Sequence, residues 1–256
     1  MTLADPDPVY IGINPTSSRR DCFYAILDKE LNLVDMQGAD MDMLLSCLAG
    51  QHSAVVAVNA PSGVNRGVLR AKLAAMDSSG DHQFRGVDIR LAEYELRQVG
   101  IKISGTPSQE DLCPGWMQSG FRLYGELSSL GYRPFPSEQA TLLWIETHPY
   151  ACFCALLEAS PFPQPTLEGR LQRQLVLHEK GVHINDPMEF FEEITRFKLL
   201  NGILPLDTIF TFEQLDVLVA AFTAWTVDIH MNAYSLIGDP TEGRIAVPVM
   251  ELGDKY

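Results

Sequence analysis

The sequence has few basic residues and lacks an apolar run long enough to cross a membrane. Its 19 lysines and arginines face 33 aspartates and glutamates, which gives a formal net charge of −14. Such a protein repels the phosphate backbone, so a nucleic-acid partner would have to be held in a local groove. The longest apolar run, residues 215–225, contains Asp216 and is far shorter than the ~20 residues of a membrane span. We therefore expect no membrane partner.

Signals for secretion, metal clusters and common catalytic loops are also missing. Residues 1–8 are acidic, without the basic start and apolar stretch of a secretory signal, so a cytoplasmic protein with reduced thiols is expected. The five cysteines are scattered, and Cys152 and Cys154 alone form a close pair, whereas structural zinc needs about four ligands. The chain has no P-loop, Gly-x-Gly-x-x-Gly, Gly-x-Ser-x-Gly or zinc-protease histidine pair, which disfavours nucleotide and serine-hydrolase chemistry.

The hydrophobic patterns that are present predict one α/β domain over residues 1–256. Hydrophobic residues make up 46% of the chain, enough for a core covered on both faces of a sheet. Three strands in the first part of the chain are joined by short turns and predict an antiparallel meander, at residues 9–14, 21–27 and 31–37. Two continuous apolar runs then predict central parallel strands covered on both faces, at residues 54–59 and 141–146.

Helical spacing and stop signals complete the predicted element order. Helices are expected at residues 41–50, 67–76, 90–99, 167–180, 187–200 and 212–229. A short closing strand at 244–249 contains Pro248, which predicts a sheet edge. The signal is weak over residues 62–138, which we interpret as a helical and loop insertion lying over one edge of the sheet. The last long helix has a face of small and acidic residues that would let it approach the sheet closely.

Polar side chains end three apolar strands and interrupt the last helix. Asn14, Asn59 and Glu146 follow strands, and Glu213 and Asp216 lie one turn apart on the helix. The carboxyl ends of strands form the functional crevice in open α/β sheets, so these groups could converge there. Oxygen ligands of this kind suit Mg²⁺ or Mn²⁺, which could support phosphodiester cleavage. Ordinary turn chemistry at the asparagines and an exposed helix flank at Asp216 are the simpler readings.

Further residues near the same strand ends have both functional and structural interpretations. His148 could carry a proton or contact substrate, but a histidine before proline is more often a structural hydrogen-bonding group. Arginine pairs on two predicted helices could hold phosphates, or could belong to solvated helix faces. These pairs are Arg170 with Arg173 and Arg90 with Arg97.

Several motifs resemble, in order and spacing, those of one known family. They are IGIN at 11–14, VNAP at 58–61, RLAEYELR at 90–97, GFRLYGEL at 120–127, ETHP at 146–149, EGRLQRQLVL at 168–177, LDVLVAAFTA at 215–224 and GRIAVP at 243–248. The set resembles the predicted ribonuclease H-like nucleases classed as domain of unknown function 429, over nearly the whole chain.

The resemblance implies a ribonuclease H-like mixed sheet and a metal-dependent nuclease with catalytic residues Asn14, Asn59, Glu146 and Asp216. It also implies Mg²⁺ or Mn²⁺ held by Asn14, Glu146, Glu213 and Asp216. The family usually has aspartates where this sequence has Asn14 and Asn59, and the loss of about two charges should weaken binding of a second ion sharply.

Two hypotheses from different classes follow. The first is the metal-dependent nuclease, and the second is a non-catalytic binding or interaction module that retains the fold. Small-phosphoester hydrolysis is a third possibility, which a closed pocket under the 62–138 insertion would indicate. The residues give no indication of substrate or oligomeric state.

Overall fold

A computed structural model describes residues 7–15, 22–76 and 88–256 of the chain. It contains a sheet made of β1 (Val9–Asn14), β2 (Cys22–Leu27), β3 (Leu33–Ala39), β4 (Ala54–Val58), β5 (Arg133–Pro134), β6 (Leu142–Thr147), β7 (Ser235–Asp239) and β8 (Gly243–Val247). The helices are α1 (Met41–Ala49), α2 (Val68–Met76), α3 (Leu91–Gln98), α4 (Gly115–Ser129), α5 (Pro149–Leu157), α6 (Leu167–Glu179), α7 (Glu189–Glu193), α8 (Arg196–Leu200) and α9 (Phe212–Ile229). Residues 1–6 of the acidic N-terminus lie outside the described residues.

The strands form one mixed sheet in the order β3-β2-β1-β4-β6-β8-β7, with the short β5 also paired to β6. β1, β2 and β3 are antiparallel, whereas β4, β6 and β8 continue the sheet in parallel with β1. The predicted meander followed by parallel strands is confirmed, and the layout is consistent with a ribonuclease H-like fold. No helix in the described ranges is both long and apolar enough to span a membrane.

Alternation along the strands divides the core into two layers. On β1, Tyr10 faces one layer, while Ile11 and Ile13 face the other. The Tyr10 layer contains α3, α5, α6 and α9, and the opposite layer contains α1 and α4. Because α3 and α4 cover different faces, the described parts of the 62–138 segment lie on both faces of the sheet, whereas the sequence had suggested an insertion over one edge.

The strand that closes the sheet differs from its prediction. β8 is not at the edge, because β7 pairs antiparallel with it on the outer side. β7 and the nine-residue α5 were both missed. The helix predicted at 187–200 is two short helices, because the chain leaves helical geometry at Ile194 and Thr195 caps the start of α8.

The close approach of α9 to the sheet depends on Gly12 of β1. A Cβ atom there would lie 2.0 Å from the Val217 carbonyl oxygen and 2.5 Å from the Ala221 amide nitrogen. The prediction that α9 approaches the sheet through small residues therefore holds at Ala220. Val217 and Ala221 of α9 also lie at this contact with Gly12. Backbone atoms cannot move aside without displacing the helix.

We expect Gly12→Ala to lower the free energy of unfolding by about 1–3 kcal/mol or more through overpacking. Urea denaturation measures this effect. Gly125→Ala is the matched control, because its added Cβ meets nothing within 4 Å on α4. That change should stabilise the helix by up to about 1 kcal/mol. Equal stability of the two variants would contradict the close approach.

Candidate functional site

A cavity of about 790 Å³ opens at the carboxyl ends of β1, β4 and β6. Four residues singled out from the sequence line it: Asn14, Asn59, Glu146 and Asp216. Residues 103–106 and 115–117 of the 62–138 segment form part of its wall. We call this space the strand-end cavity. The structure brings the four side chains together, and their roles stay predictions.

The two asparagines form a pair across neighbouring strands. Asn59 Nδ2 donates to Asn14 Oδ1 at 3.2 Å, and the Asn59 backbone N–H donates to the Ile13 carbonyl at 2.8 Å. The second bond continues the β1–β4 ladder past the last paired residue and fixes the Asn59 backbone. The pair therefore presents neutral amides where two parallel strands end.

Glu146 is held by a buried arginine from the start of α3. Arg90 Nη1 donates to Glu146 Oε2 at 2.9 Å, and Nη2 donates to Oε1. The Ser62 backbone N–H also donates to Oε2 at 2.8 Å. Arg90 is only 1% exposed to solvent, and Glu146 is only 3% exposed. Burial alone would lower the pKa of Arg90, but Glu146 and Glu93 raise it above its usual range. Arg90 therefore stays charged.

Two more buried carboxylates complete this cluster. Glu93 accepts from Arg90 Nε at 2.9 Å and from the backbone N–H and hydroxyl of Thr106. Glu242, in the β7–β8 turn, accepts from the backbone N–H groups of Val68 and Leu91 at 2.8 and 3.0 Å. It thus satisfies amides at the starts of both α2 and α3.

Sequence reasoning missed the role of this cluster. The interpretation of Arg90 as a phosphate contact or part of a solvated face is wrong, because the side chain is buried and bound to carboxylates. The usable signal was the spacing of Arg90 and Glu93, because the Glu93 carboxylate accepts from both the backbone N–H and Nε of Arg90 at the start of α3.

Asp216 projects from α9 into the other side of the strand-end cavity. Its Oδ2 accepts from Gln164 Nε2 at 2.9 Å. Burial raises the pKa of Asp216 to about 7, while the Gln164 hydrogen bond and Arg173 oppose the shift. The carboxyl is therefore about half protonated at neutral pH.

The remaining predicted residues are placed differently. His148 lines the cavity, and its Nδ1 accepts from the Ala151 N–H at 3.2 Å, which caps α5. Burial lowers the pKa of His148 to about 4, so the ring is neutral at pH 7. Arg173 also lines the cavity and donates to the carbonyls of Phe162 and Gly169.

Three residues singled out earlier do not line the strand-end cavity. Arg170 donates to the carbonyls of Ile209 and Phe210, and so joins α6 to the loop before α9. Glu213 is half-buried on α9, one turn before Asp216. Arg97, the partner of Arg90 in the earlier pairing, donates to the Ile103 carbonyl.

Comparison with known proteins gives a family match over most of the chain. Residues 18–242 match the family described as "Protein of unknown function (DUF429)". The chain belongs to this family. No curated protein and no solved structure matches it significantly. Membership in DUF429 assigns no activity, so the function has to be argued from the cavity.

The donor set of this DUF429 chain does not fit the implied pair of divalent ions. Both oxygens of Glu146 already accept from Arg90, and a cation beside them would meet a buried guanidinium. Asn14 Oδ1 accepts from Asn59, and Asp216 is only partly ionised near pH 7. Across residues 7–15, 22–76 and 88–256, no three His, Cys, Asp or Glu side chains are grouped to hold a metal. The Mg²⁺ or Mn²⁺ site stays a prediction that this arrangement disfavours.

The raised pKa of Asp216 predicts a pH-dependent loss of stability. Its ordinary value is 3.8 and its folded value is about 7. Between these values the unfolded chain releases the proton while the folded protein keeps it, so folding weakens as the pH rises. The side chain introduced by Asp216→Asn cannot titrate. The free energy of unfolding of this variant should therefore rise relative to that of the parent between about pH 4 and 7, by at most about 4 kcal/mol.

Denaturant unfolding of both proteins across that pH range measures the difference. Glu192→Gln, an exposed change on α7 outside the cavity, serves as the control and should leave the pH dependence assigned to Asp216 in place. A constant difference between parent and Asp216→Asn over the whole range would contradict the raised pKa.

Proposed function

We propose that this protein is a binding module whose strand-end cavity holds an uncharged, planar ligand of the nucleobase class. The observation that carries the proposal is the neutral character of the cavity wall at the strand ends. Two amides stand at Asn14 and Asn59, and the charges of Glu93 and Glu146 in the wall are matched by those of Arg90 and Arg173. Burial raises the pKa of Asp216 to about 7, so this carboxyl is partly protonated near pH 7.

The free edges of the amide pair support this ligand class. Asn14 Nδ2 and Asn59 Oδ1 have no hydrogen-bond partner within the described part of the chain, so the pair leaves one donor and one acceptor free for a ligand. Amides of this kind form paired hydrogen bonds to the edges of nucleobases. Trp116 and Tyr150 also line the cavity and supply aromatic surface for a planar group.

The size and charge of the cavity also support a small, uncharged ligand. Its volume of about 790 Å³ falls within the ~300–1,000 Å³ that small-molecule sites usually enclose. The guanidinium of Arg90 is already bound to Glu146 and Glu93, and the protein carries a net charge of −14. A ligand recognised by hydrogen bonds and stacking is therefore favoured over one bound through a phosphate group.

Calorimetric titration with adenosine, guanosine, cytidine and uridine tests the proposal. We expect saturable binding of at least one nucleoside, weakened about tenfold or more by Asn59→Ala, because one good hydrogen bond contributes about 1 kcal/mol or more. Asn201→Ala is the matched control, since Asn201 is exposed at the end of α8, away from the cavity. Failure of all four nucleosides to bind at millimolar concentration, or equal binding by Asn59→Ala, would refute the proposal.

Metal-dependent phosphodiester hydrolysis is the second candidate. It is favoured by the convergence of Asn14, Asn59, Glu146 and Asp216 on one cavity. Half-protonated Asp216 could also exchange a proton near neutral pH. The commitment of Glu146 to Arg90 weighs against it.

A cleavage assay with Mg²⁺ or Mn²⁺ on DNA, RNA and RNA/DNA hybrid separates the two candidates. The binding proposal predicts that the parent and Glu146→Gln, both checked for folding by circular dichroism, cleave equally little. An Asn14→Asp, Asn59→Asp double variant shows whether restored carboxylates bind the metal. Cleavage by the parent but not by Glu146→Gln would establish the nuclease.

A further inference from the structure

A second cavity, of about 340 Å³, lies at a gap in the sheet beside β6. β5 pairs with Leu143 and Trp144, and β8 pairs with Glu146 and Thr147 on the same strand. Ile145, between the two sets, pairs with neither strand. The walls are formed by residues 62–63, 66, 134–136, 144–146, 236 and 240–244. We call this space the sheet-gap cavity.

Two arginines without partners line the sheet-gap cavity. Arg66 is exposed and Arg244 is half-buried, and neither guanidinium has a hydrogen bond or ion pair in the ranges that the structure describes. Asp239, at the end of β7, is an acidic group outside the cavity lining, and its pKa is lowered by hydrogen bonds from Thr241 and, more weakly, by Lys72 and Arg244. Its carboxylate is thus already engaged by Thr241.

The two carboxylates in the wall are likewise committed elsewhere. Glu146 accepts from Arg90 and the Ser62 N–H, and Glu242 accepts from backbone N–H groups, including that of Arg66. These hydrogen bonds engage both carboxylates, and among the described contacts neither carboxylate pairs with the guanidinium of Arg66 or Arg244. A protein with a net charge of −14 would otherwise be expected to pair two arginines with its own acids.

Trp144 also lines the sheet-gap cavity, and its indole nitrogen is a buried donor. Its Nε1–H is buried and has no hydrogen-bond partner among the described residues. Such a donor costs about 1–3 kcal/mol, and native proteins nearly always pair it with protein, water or a ligand. The Tyr124 ring packs 4.7 Å from the indole, between ring centroids, and restrains its orientation.

We propose that the sheet-gap cavity binds a small oxyanion, a phosphate ester or a carboxylate, through Arg66 and Arg244. The planar guanidinium group matches both anions with two parallel hydrogen bonds. The volume admits a ligand of metabolite size and not a folded partner. The site is separate from the strand-end cavity and does not depend on what binds there.

The test is a titration of the full chain with inorganic phosphate and, separately, with succinate, at constant ionic strength set by chloride. Calorimetry gives the Kd, and the indole N–H resonance of Trp144, assigned with Trp144→Phe, reports where the anion binds. We expect Arg244→Gln and Arg66→Gln each to raise the Kd about tenfold or more. Arg70→Gln, an exposed change on α2 outside the cavity, should leave it unchanged.

The result decides between the two anion sources and can overturn the site. Binding of phosphate alone or succinate alone supports the proposal and names the source, and binding of both supports a general oxyanion site. No saturable binding of either anion would overturn it, as would binding that both arginine variants leave intact. Asn59→Ala should not change the phosphate Kd, so failure of the strand-end proposal is distinguishable from failure of this one.

Discussion

The buried ion pair between Arg90 and Glu146 is the constraint on which the site depends. It joins the start of α3 to the end of β6, and Arg90 also donates to the Glu242 carbonyl in the β7–β8 turn. Gly243 lets that turn approach, since a Cβ there would lie 2.3 Å from the Ser62 hydroxyl oxygen and 2.8 Å from Glu146 Oε2. Removing one partner of such a pair typically costs about 3–5 kcal/mol, because the other charge stays buried. The polar cluster therefore fixes the relative positions of segments far apart in sequence.

Glu146 also separates the two cavities, because it lines both. On one side its neighbours are the amides of Asn14 and Asn59, and on the other they are Arg66 and Arg244. A carboxylate that accepts hydrogen bonds from Arg90 and Ser62 contributes little free charge to either side. The strand-end cavity is left nearly neutral and the sheet-gap cavity basic. One buried pair thus allows two sites of different ligand preference to share a wall.

Sequence patterns predicted the parts of the fold that depend on local periodicity. β1, β4, β6 and α9 were found because continuous or periodic apolar residues are needed to bury both faces of a central strand or one face of a helix. β7 was missed because a short edge strand carries little such signal. At the site, Asn14 and Glu146 were found because they end apolar strands. The role of Arg90 and the part played by Glu242 were missed, because Arg90 reaches Glu146 and the Glu242 carbonyl through contacts that span 56 and 152 residues of sequence.

The charge of the cluster offers a physical reason for the amides at the strand ends. The wall of the strand-end cavity holds Arg90 and Arg173 against Glu93 and Glu146, so these four formal charges cancel. Carboxylates at positions 14 and 59 would add two negative charges to a wall where Asp216 already resists ionisation. Like charges at short range raise one another's pKa unless a cation intervenes. With Arg90 bound to Glu146, neutral Asn14 and Asn59 are the side chains that this wall can hold without a metal, and their amide edges remain free for a ligand.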